Sequence, residues 1–342
     1  DDGDVDIAVG RNITKTIITI YANEGSGGFE PLGVPVGEIH SYVSHIASMA
    51  FGDVDNDEDL DLIVARYWGK NSIYLNDGRG FFTREIPLGG YFSTSLATGD
   101  MDGDGSLDIV VGNTSREGEQ NTVYLNDGSG DYSTAVPLEG TPRDPIAFVV
   151  AGDLDGDGDL DILSTNMNYD RNRSYSFENL LYLNDGNGNF DSGINIIKGR
   201  QETSCITLGD ADSDEDIDIF LGISSGQNSL FLNNGKAGFG ETGRPFGTGN
   251  DRSISLTLLD ADGDDDLDLA VGNSNNEQDV LYLNDGKGVY DSEILIGPPA
   301  NTNALQADDL DSDGDLDVVV GTDLSVIAYL TGGTGASPSP TP

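Results

Sequence analysis

Positive charge is scarce in this chain. Its 342 residues hold 16 Lys and Arg against 61 Asp and Glu, a formal net charge of −45. Nucleic acid is thereby disfavoured as a partner, because a phosphate backbone is bound by Lys and Arg. An anionic membrane surface is disfavoured for the same reason, and cations are favoured as ligands. Cysteine is scarcer still. Cys205 stands alone in the apolar run SCITLG, so no internal disulfide can form, and it reads as a small core residue. No apolar run approaches the roughly 18 residues of a membrane span, so no membrane insertion is expected. No stretch keeps a 3.6-residue apolar period over helical length. The two histidines, His40 and His45, share one connection, HSYVSH, and read as ordinary loop residues. Neither a nucleophile elbow nor a phosphate-binding glycine loop is present, so no catalytic residue and no enzyme activity is expected. The chain opens on Asp1 with no signal-peptide pattern, which is expected of a processed or trimmed end.

What the chain does have is a repeat. An aspartate-rich stretch begins at residues 53, 100, 153, 210, 260 and 309, as in DMDGDGSLD and DLDGDGDLD. A truncated copy, DDGDVDIAVG, opens the chain, with Asp6 aligned to Asp61 and Asp108. Each stretch is preceded by a short apolar segment (IASMAFGD, SLATGD, AFVVAGD) and followed by another (LDLIVA, LDIVVG, LDILST). A third segment carries a turn, as in IYLNDGRGFF, VYLNDGSGDY and LYLNDGKGVY, and a weaker fourth follows, as in FFTREIPL. Segments this short, rich in Val, Ile, Leu, Tyr and Phe and bounded by Gly, Asn and Asp, are strands, and NDG between two of them signals a hairpin. Four strands in units of about fifty residues are the pattern of a β-propeller blade, which must stack on neighbours to bury both faces.

The units resemble FG-GAP/VCBS repeats, the blades of integrin α-subunit-like propellers. Apolar strand, DxDxDGxxD loop, apolar strand and YLNDGxGxF turn recur together in that order. The resemblance covers about residues 1–333. It implies an all-β, seven-bladed β-propeller of four-stranded antiparallel blades, with calcium in the loop between strands 1 and 2. Units are expected to start near residues 1, 46, 95, 147, 204, 253 and 304. The first blade would lack its inner strand and the last its outer strand. Either residues upstream of Asp1 were removed, or another chain supplies the missing strands. The Pro/Ser/Thr-rich residues 334–342 are expected to be a tail or linker, with O-glycosylation as an option.

The aspartate loop suits a hard cation, which takes six to eight oxygen ligands at about 2.3–2.6 Å. Carboxylates at positions 1, 3, 5 and 9, with a backbone carbonyl at 7, can wrap one ion. All six complete loops keep aspartate at these four positions: Asp53, Asp55, Asp57 and Asp61; Asp100, Asp102, Asp104 and Asp108; Asp153, Asp155, Asp157 and Asp161; Asp210, Asp212, Asp214 and Asp218; Asp260, Asp262, Asp264 and Asp268; Asp309, Asp311, Asp313 and Asp317. About six calcium sites are therefore expected, with a mainly structural role. Soft ligands are absent, which argues against zinc or copper. An EF-hand needs Glu at position 12, where this chain has Val64, Val111, Ser164, Leu221, Val271 and Val320. Glu58, Glu215 and Asp265 hold position 6, where Gly would bend most easily, so those loops are expected to be weaker or bent differently. The opening copy keeps Asp2 and Asp6 but lacks positions 1 and 3.

In an antiparallel blade, the 1–2 and 3–4 turns share one end, and the 2–3 and 4–1 connections share the other. Twelve of the 16 basic residues are assigned to the latter: Arg11, Lys15, Arg66, Lys70, Arg116, Arg143, Arg171, Arg173, Lys198, Arg200, Arg244 and Arg252. Tyr42, Tyr67, Trp68, Tyr91, Phe92, Tyr169 and Tyr175 join them. Arg and aromatics are residues of binding hot spots. The candidate ligand-binding set is Arg66, Tyr67, Trp68, Tyr91, Tyr169, Arg171, Arg173 and Tyr175, with 165–179 as the specificity loop. Alternatively, the basic residues simply avoid the metal side and the aromatics pack between blades. Sequons at Asn12, Asn113 and Asn172 permit N-glycosylation. The leading expectation is an extracellular, secreted or cell-surface adhesion or recognition module for protein or glycan. The alternative is a structural subunit that assembles with other copies of itself into a filament or lattice.

Overall fold

The computed structural model describes residues 4–12, 16–23, 25, 28–32, 36, 45–114, 120–139, 147–169, 175–197, 202–249, 251–332 and 336–340. Among them every regular element is a strand. The first sheet holds β1 (Ile7–Asn12), β2 (Thr16–Asn23) and β3 (Phe29–Pro31). The second holds β4 (Ile46–Gly52), β5 (Asp61–Arg66), β6 (Asn71–Leu75) and β7 (Arg84–Leu88). The third holds β8 (Ser93–Gly99), β9 (Asp108–Asn113), β10 (Thr122–Leu125) and β11 (Thr134–Pro137). The fourth holds β12 (Ala147–Gly152), β13 (Asp161–Tyr169), β14 (Tyr175–Tyr182) and β15 (Ile194–Asn195). The fifth holds β16 (Thr203–Gly209), β17 (Asp218–Ile223), β18 (Asn228–Phe231) and β19 (Arg244–Phe246). The sixth holds β20 (Ser253–Leu259), β21 (Asp268–Asn273), β22 (Glu277–Leu283) and β23 (Ser292–Ala300). The seventh holds β24 (Thr302–Asp308), β25 (Asp317–Thr322), β26 (Val326–Gly332) and β27 (Ala336–Pro340).

Every pairing is between antiparallel sequence neighbours, so the fold is all-β with seven successive β-propeller blades. The chain divides into two compact units, residues 1–22 with 30–198 and residues 23–29 with 199–342. Among the described residues the first blade has three strands. Its β1 corresponds to the second strand of the other blades, and its β2 and β3 to the third and fourth.

Two parts of the strand map differ from the sequence expectation. The tail is not left free: β27 pairs with β26, with Tyr329 opposite Pro340 and Leu330 opposite Ser339. The seventh blade thus has three repeat strands plus an outer strand drawn from the tail. Proline is tolerated there because an edge strand donates on one side only. The 165–179 connection is largely strand as well. β13 and β14 run on as a long hairpin to the pair Tyr169–Tyr175.

The second and third strands carry most of the burial, and β6 and β18 are buried throughout. Every residue of β5, β9, β17 and β21 is buried. The core lies between adjacent blades. Ile63, Ile73 and Leu88 of the second blade pack with Ile109, Val111 and Tyr124 of the third. Phe220 and Leu230 of the fifth pack with Leu269, Val271 and Tyr282 of the sixth. Burying such a side chain contributes about 1.5–3 kcal/mol, which a single sheet could not collect on both faces.

Small residues let the blades approach. A methyl added at Gly52 would overlap Leu107, and one at Gly99 would overlap Leu160. The position 8 leucines Leu107 and Leu160 therefore reach back over the last inner-strand glycine of the preceding blade. The inner strands also share an irregularity. The register of β4, β8, β16, β20 and β24 against its neighbour shifts near its first residues, as between Ile46 and Ser48. No sequence signal had marked it.

Candidate metal centres and the aromatic connections

Each aspartate loop is held by its own carboxylates. The position 1 side chain accepts backbone N–H bonds from positions 5 and 6, as Asp100 does from Asp104 (3.1 Å) and Gly105 (2.9 Å). The position 5 carboxylate accepts from the N–H of position 7, as in Ser106 to Asp104 at 2.8 Å. Loop positions 4 and 6 both adopt left-handed backbone, as at Asn56 (φ 58°) and Glu58 (φ 72°). At position 6, Glu58 (φ 72°), Glu215 (72°) and Asp265 (69°) take the same bend as Gly105 (88°) and Gly158 (97°). The expected difference in bending does not occur, because hydrogen bonds to the position 1 carboxylate impose the turn on whatever residue stands there.

The position 9 aspartates, Asp61, Asp108, Asp161, Asp218, Asp268 and Asp317, are all buried. Each begins the second strand and closes the loop with both oxygens. One accepts from the N–H of position 2, as in Met101 to Asp108 at 2.7 Å, and the other from the residue after the third strand, as in Asn126 to Asp108 at 2.7 Å. Burial pushes these carboxyls up to about 6, against the opposing pull of the two N–H bonds, and the other loop carboxylates add to the rise.

Position 3 is different. The Oδ1 atoms of Asp55, Asp102, Asp155, Asp212 and Asp311 are buried and accept no hydrogen bond. A buried carboxylate oxygen without a partner is costly. Here it recurs at the same place in five loops. Burial, then neighbouring loop carboxylates, raise the position 3 carboxyls above their ordinary range. Carboxylate oxygens within 4.8 Å of one another form clusters at Asp53–Asp55–Asp57, Asp100–Asp102–Asp108, Asp153–Asp155–Asp161, Asp210–Asp212–Asp218 and Asp260–Asp262–Asp268. These clusters could hold metal ions. An all-oxygen donor set with one aimed, unpartnered carboxylate oxygen fits a hard cation.

The NDG turn is more than a hairpin signal. Its asparagine ties two loops together. The Asn126 amide donates to Leu107 O of its own loop (3.2 Å) and to Val54 O of the preceding loop (2.8 Å). Asn184 bridges to Met101 O at 2.8 Å and Asn284 to Ala211 O at 2.9 Å in the same way. In the second unit, Asn23 donates to Leu310 O at 2.7 Å. The aromatic that follows adds another tie, with the Tyr132 hydroxyl donating to Leu107 O at 2.7 Å.

At the other end of the blades, Arg66 is not a surface cation. It is 5% exposed, and its guanidinium donates to Lys70 O, Ser72 Oγ and Tyr74 Oη at 2.6–2.7 Å. Tyr67 and Trp68 stand half-buried beside it and meet Phe92, the residue just before the next inner strand, β8. The ring centroids are 5.3 Å apart for Tyr67–Trp68, 6.0 Å for Tyr67–Phe92 and 5.1 Å for Trp68–Phe92, all edge-on. Phe92 has a φ of 61°, which a bulky residue rarely adopts. Tyr91 is 44% exposed. Tyr169 and Tyr175 face each other in register at the hairpin end. Arg171, Arg173 and Asn172 lie outside the described residues, as do Asp2, Lys15, His40, Tyr42, Arg116, Arg143, Lys198 and Arg200. Arg244 belongs to the aspartate end, since it begins a fourth strand and donates to Lys287 O of an NDG turn at 2.8 Å. Asn113 is buried, with its amide donating to Gln120 O at 2.8 Å, so its nitrogen is closed to a glycan in the folded chain. Asn12 is exposed and bonded to both backbone groups of Ile46.

A polar pin near these connections escaped the sequence reading. Asn71, Asn121 and Asn228 open or precede the third strands. Their amides donate across blades to Ser93 Oγ, Ser164 Oγ and Ser253 Oγ at 2.7–2.9 Å. In the sixth blade Asp279 takes the place and accepts from Thr302 Oγ1 at 2.6 Å. The recurring Asn before the third apolar segment (KNSIYL, QNTVYL, QNSLFL) was the available signal.

No curated protein is significantly similar in sequence. Among solved structures, a lectin from Agrocybe aegerita, described as recognising non-reducing terminal N-acetylglucosamine, superposes with a TM-score of 0.67 at 17% identity, over 99% of this chain and 90% of its own. The BP39L lectin from Burkholderia pseudomallei gives 0.72 at 10% identity, over 98% and 94%. BBS1N, solved in complex with ARL6DN, gives 0.56 at 13% identity, over 94% and 89%. At such identities the likeness is one of fold. The model of the FG-GAP-like repeat matches residues 1–64, 53–111, 100–164, 210–271 and 260–320. The chain belongs to the FG-GAP-like repeat family.

Proposed function

We propose that the chain is a non-catalytic recognition module, stabilised by calcium and working outside the cell on a protein or glycan. The observation that carries the metal part is the unpartnered, buried Oδ1 at the third position of five aspartate loops. Calcium suits these loops better than magnesium, which demands near-ideal octahedral geometry and sheds water reluctantly. The cation would be structural. It would complete the shell of carboxylates that otherwise repel one another, and it would lock each 1–2 turn against the NDG turn beside it.

The recognition part is supported by two fold neighbours described as lectins and a third solved with a protein partner. In this chain the half-exposed aromatics Tyr67, Trp68 and Tyr91 offer a stacking surface on rigid connections. The test is a glycan array probed in calcium and again after chelation, with Trp68→Ala beside the parent. Calcium-dependent binding to a defined glycan class, weakened in the variant, is the expected result. A blank array together with unchanged calorimetric melting after verified calcium removal would sink both parts.

A further inference from the structure

The asparagine that opens the NDG turn stands between two buried carboxylates that belong to different blades. Asn184 shows the path. Its backbone N–H donates to Asp161 Oδ1 of its own loop at 2.9 Å, and its side-chain amide donates to Met101 O, in the loop of the blade before, at 2.8 Å. The Met101 N–H in turn donates to Asp108 Oδ2 at 2.7 Å. The position 9 aspartates of the third- and fourth-blade loops are thus joined through two residues. The same path runs from Asp61 through Val54 and Asn126 to Asp108, with bonds of 3.1, 2.8 and 2.7 Å. It runs again from Asp218 through Ala211 and Asn284 to Asp268, with bonds of 2.8, 2.9 and 2.8 Å. Every residue on these paths is buried, so water does not compete for their bonds. Asp108 and Asp161 also belong to the carboxylate clusters that hold the unpartnered oxygens of Asp102 and Asp155.

The seventh blade breaks the pattern, because Thr331 stands where the asparagine would be. Its N–H donates to Asp317 Oδ1 at 2.7 Å and its hydroxyl to Leu316 O of its own loop at 3.0 Å. Among the described residues it makes no bond to Ala261, the matching residue of the sixth-blade loop. The reason is proton count. An amide has two N–H groups, one for each loop, as Asn184 gives one to Leu160 O and one to Met101 O. A hydroxyl has a single proton, and Thr331 spends it on Leu316.

We propose that Asn126, Asn184 and Asn284 are positioning residues that couple the cation sites of adjacent loops, so that filling one loop raises the affinity of its neighbour. The inference rests on the reading that the loops hold calcium. A cation gathered by Asp153, Asp155 and Asp161 fixes Asp161. Asp161 then fixes Asn184, Asn184 fixes Met101, and the Met101 N–H steadies Asp108 in the next site. Part of the ordering that the second site needs is already done when the first is filled, which is positive cooperativity. The coupling joins the second-, third- and fourth-blade loops in one series and the fifth- and sixth-blade loops in another. It is missing between the sixth and seventh.

The test is a double-mutant cycle on the stabilisation that calcium confers, read as the shift of the urea midpoint between chelator and one fixed calcium concentration. Asp102→Asn disables the third-blade site and Asp155→Asn the fourth. Under coupling each single change also removes the shared part, so the double variant loses less of the shift than the two single losses added together. A coupling of ordinary size makes calcium bind a loop about fivefold or more tightly when its neighbour is filled. Asn184→Thr, which copies Thr331, should make the same cycle additive. General loosening of the turn cancels there, because every comparison is made within that background. The sixth- and seventh-blade pair, Asp262→Asn with Asp311→Asn, should be additive in the parent chain, and this arm does not depend on how Asn184→Thr folds. Single substitutions that leave the calcium shift unchanged would overturn the calcium reading and the coupling with it. Additive losses at the third and fourth blades, or equal non-additivity at the sixth and seventh, would overturn the coupling alone.

Discussion

Glu58 stands at a turn position where φ is 72°, a conformation that costs a side-chain-bearing residue about 1 kcal/mol relative to glycine. Glu58→Gly should therefore stabilise the chain by up to about 1 kcal/mol in a thermal or urea melt, and a loss of stability would contradict the turn geometry. Gly99 gives the opposite case. Gly99→Ala drives a methyl into Leu160 and should cost about 1–3 kcal/mol by the same measurement. Asp279 is a buried carboxylate where three other blades carry Asn71, Asn121 and Asn228. Burial raises its pKa above 3.8, so the folded chain disfavours the charged form. The wild type loses stability relative to Asp279→Asn as pH rises from the ordinary carboxylate range through the folded pKa. The variant should melt higher at neutral pH, with the gain shrinking below about pH 4. The aspartates of the loops could be read from their spacing, and so could the glycine turns. The burial of Arg66 could not, because its partners Ser72 and Tyr74 come from the next strand and a run such as ARYWGKN does not say which side chains point inward.

The loop and its NDG turn act together as an element. Asp155 illustrates the balance. Its Oδ1 has no hydrogen-bond donor, and burial with like charge raises its pKa. Without a cation, Asp155→Asn should leave the chain as stable as the parent or more so. With calcium present, the parent should melt higher and the variant should gain less and bind one ion fewer, as counted by calorimetric titration. A variant that is less stable in chelator than the parent would mean that the carboxylate is held by protein groups instead. Strand positions followed from alternating apolar segments bounded by Gly, Asn and Asp. The element least legible in the sequence was the tail. Proline and serine suggest a linker, yet the free edge of β26 offers backbone partners to any extended segment, so Ala336–Pro340 becomes a strand.

Over the whole molecule, 61 acidic residues face 16 basic ones, and the aspartate loops concentrate the imbalance. In chelator, melting temperature should climb with sodium chloride concentration as repulsion is screened. In saturating calcium that dependence should flatten, and equal salt slopes in both conditions would show that the loops do not carry the repulsion. The seven-blade repeat was legible because its period and motifs recur in register, whereas the ties between blades depend on which residues meet across a gap of about fifty positions. Those ties have a direction. Leu107 plugs the blade before it and Leu160 plugs the next in the same sense, so the contacts run head to tail like links cut from one die. Removing residues 100–152 would bring Leu160 to Gly52, the same pair of residue types that meets there now. At this contact the third and fourth blades are interchangeable cassettes, and the loss of the third leaves the second and fourth already fitted to each other there.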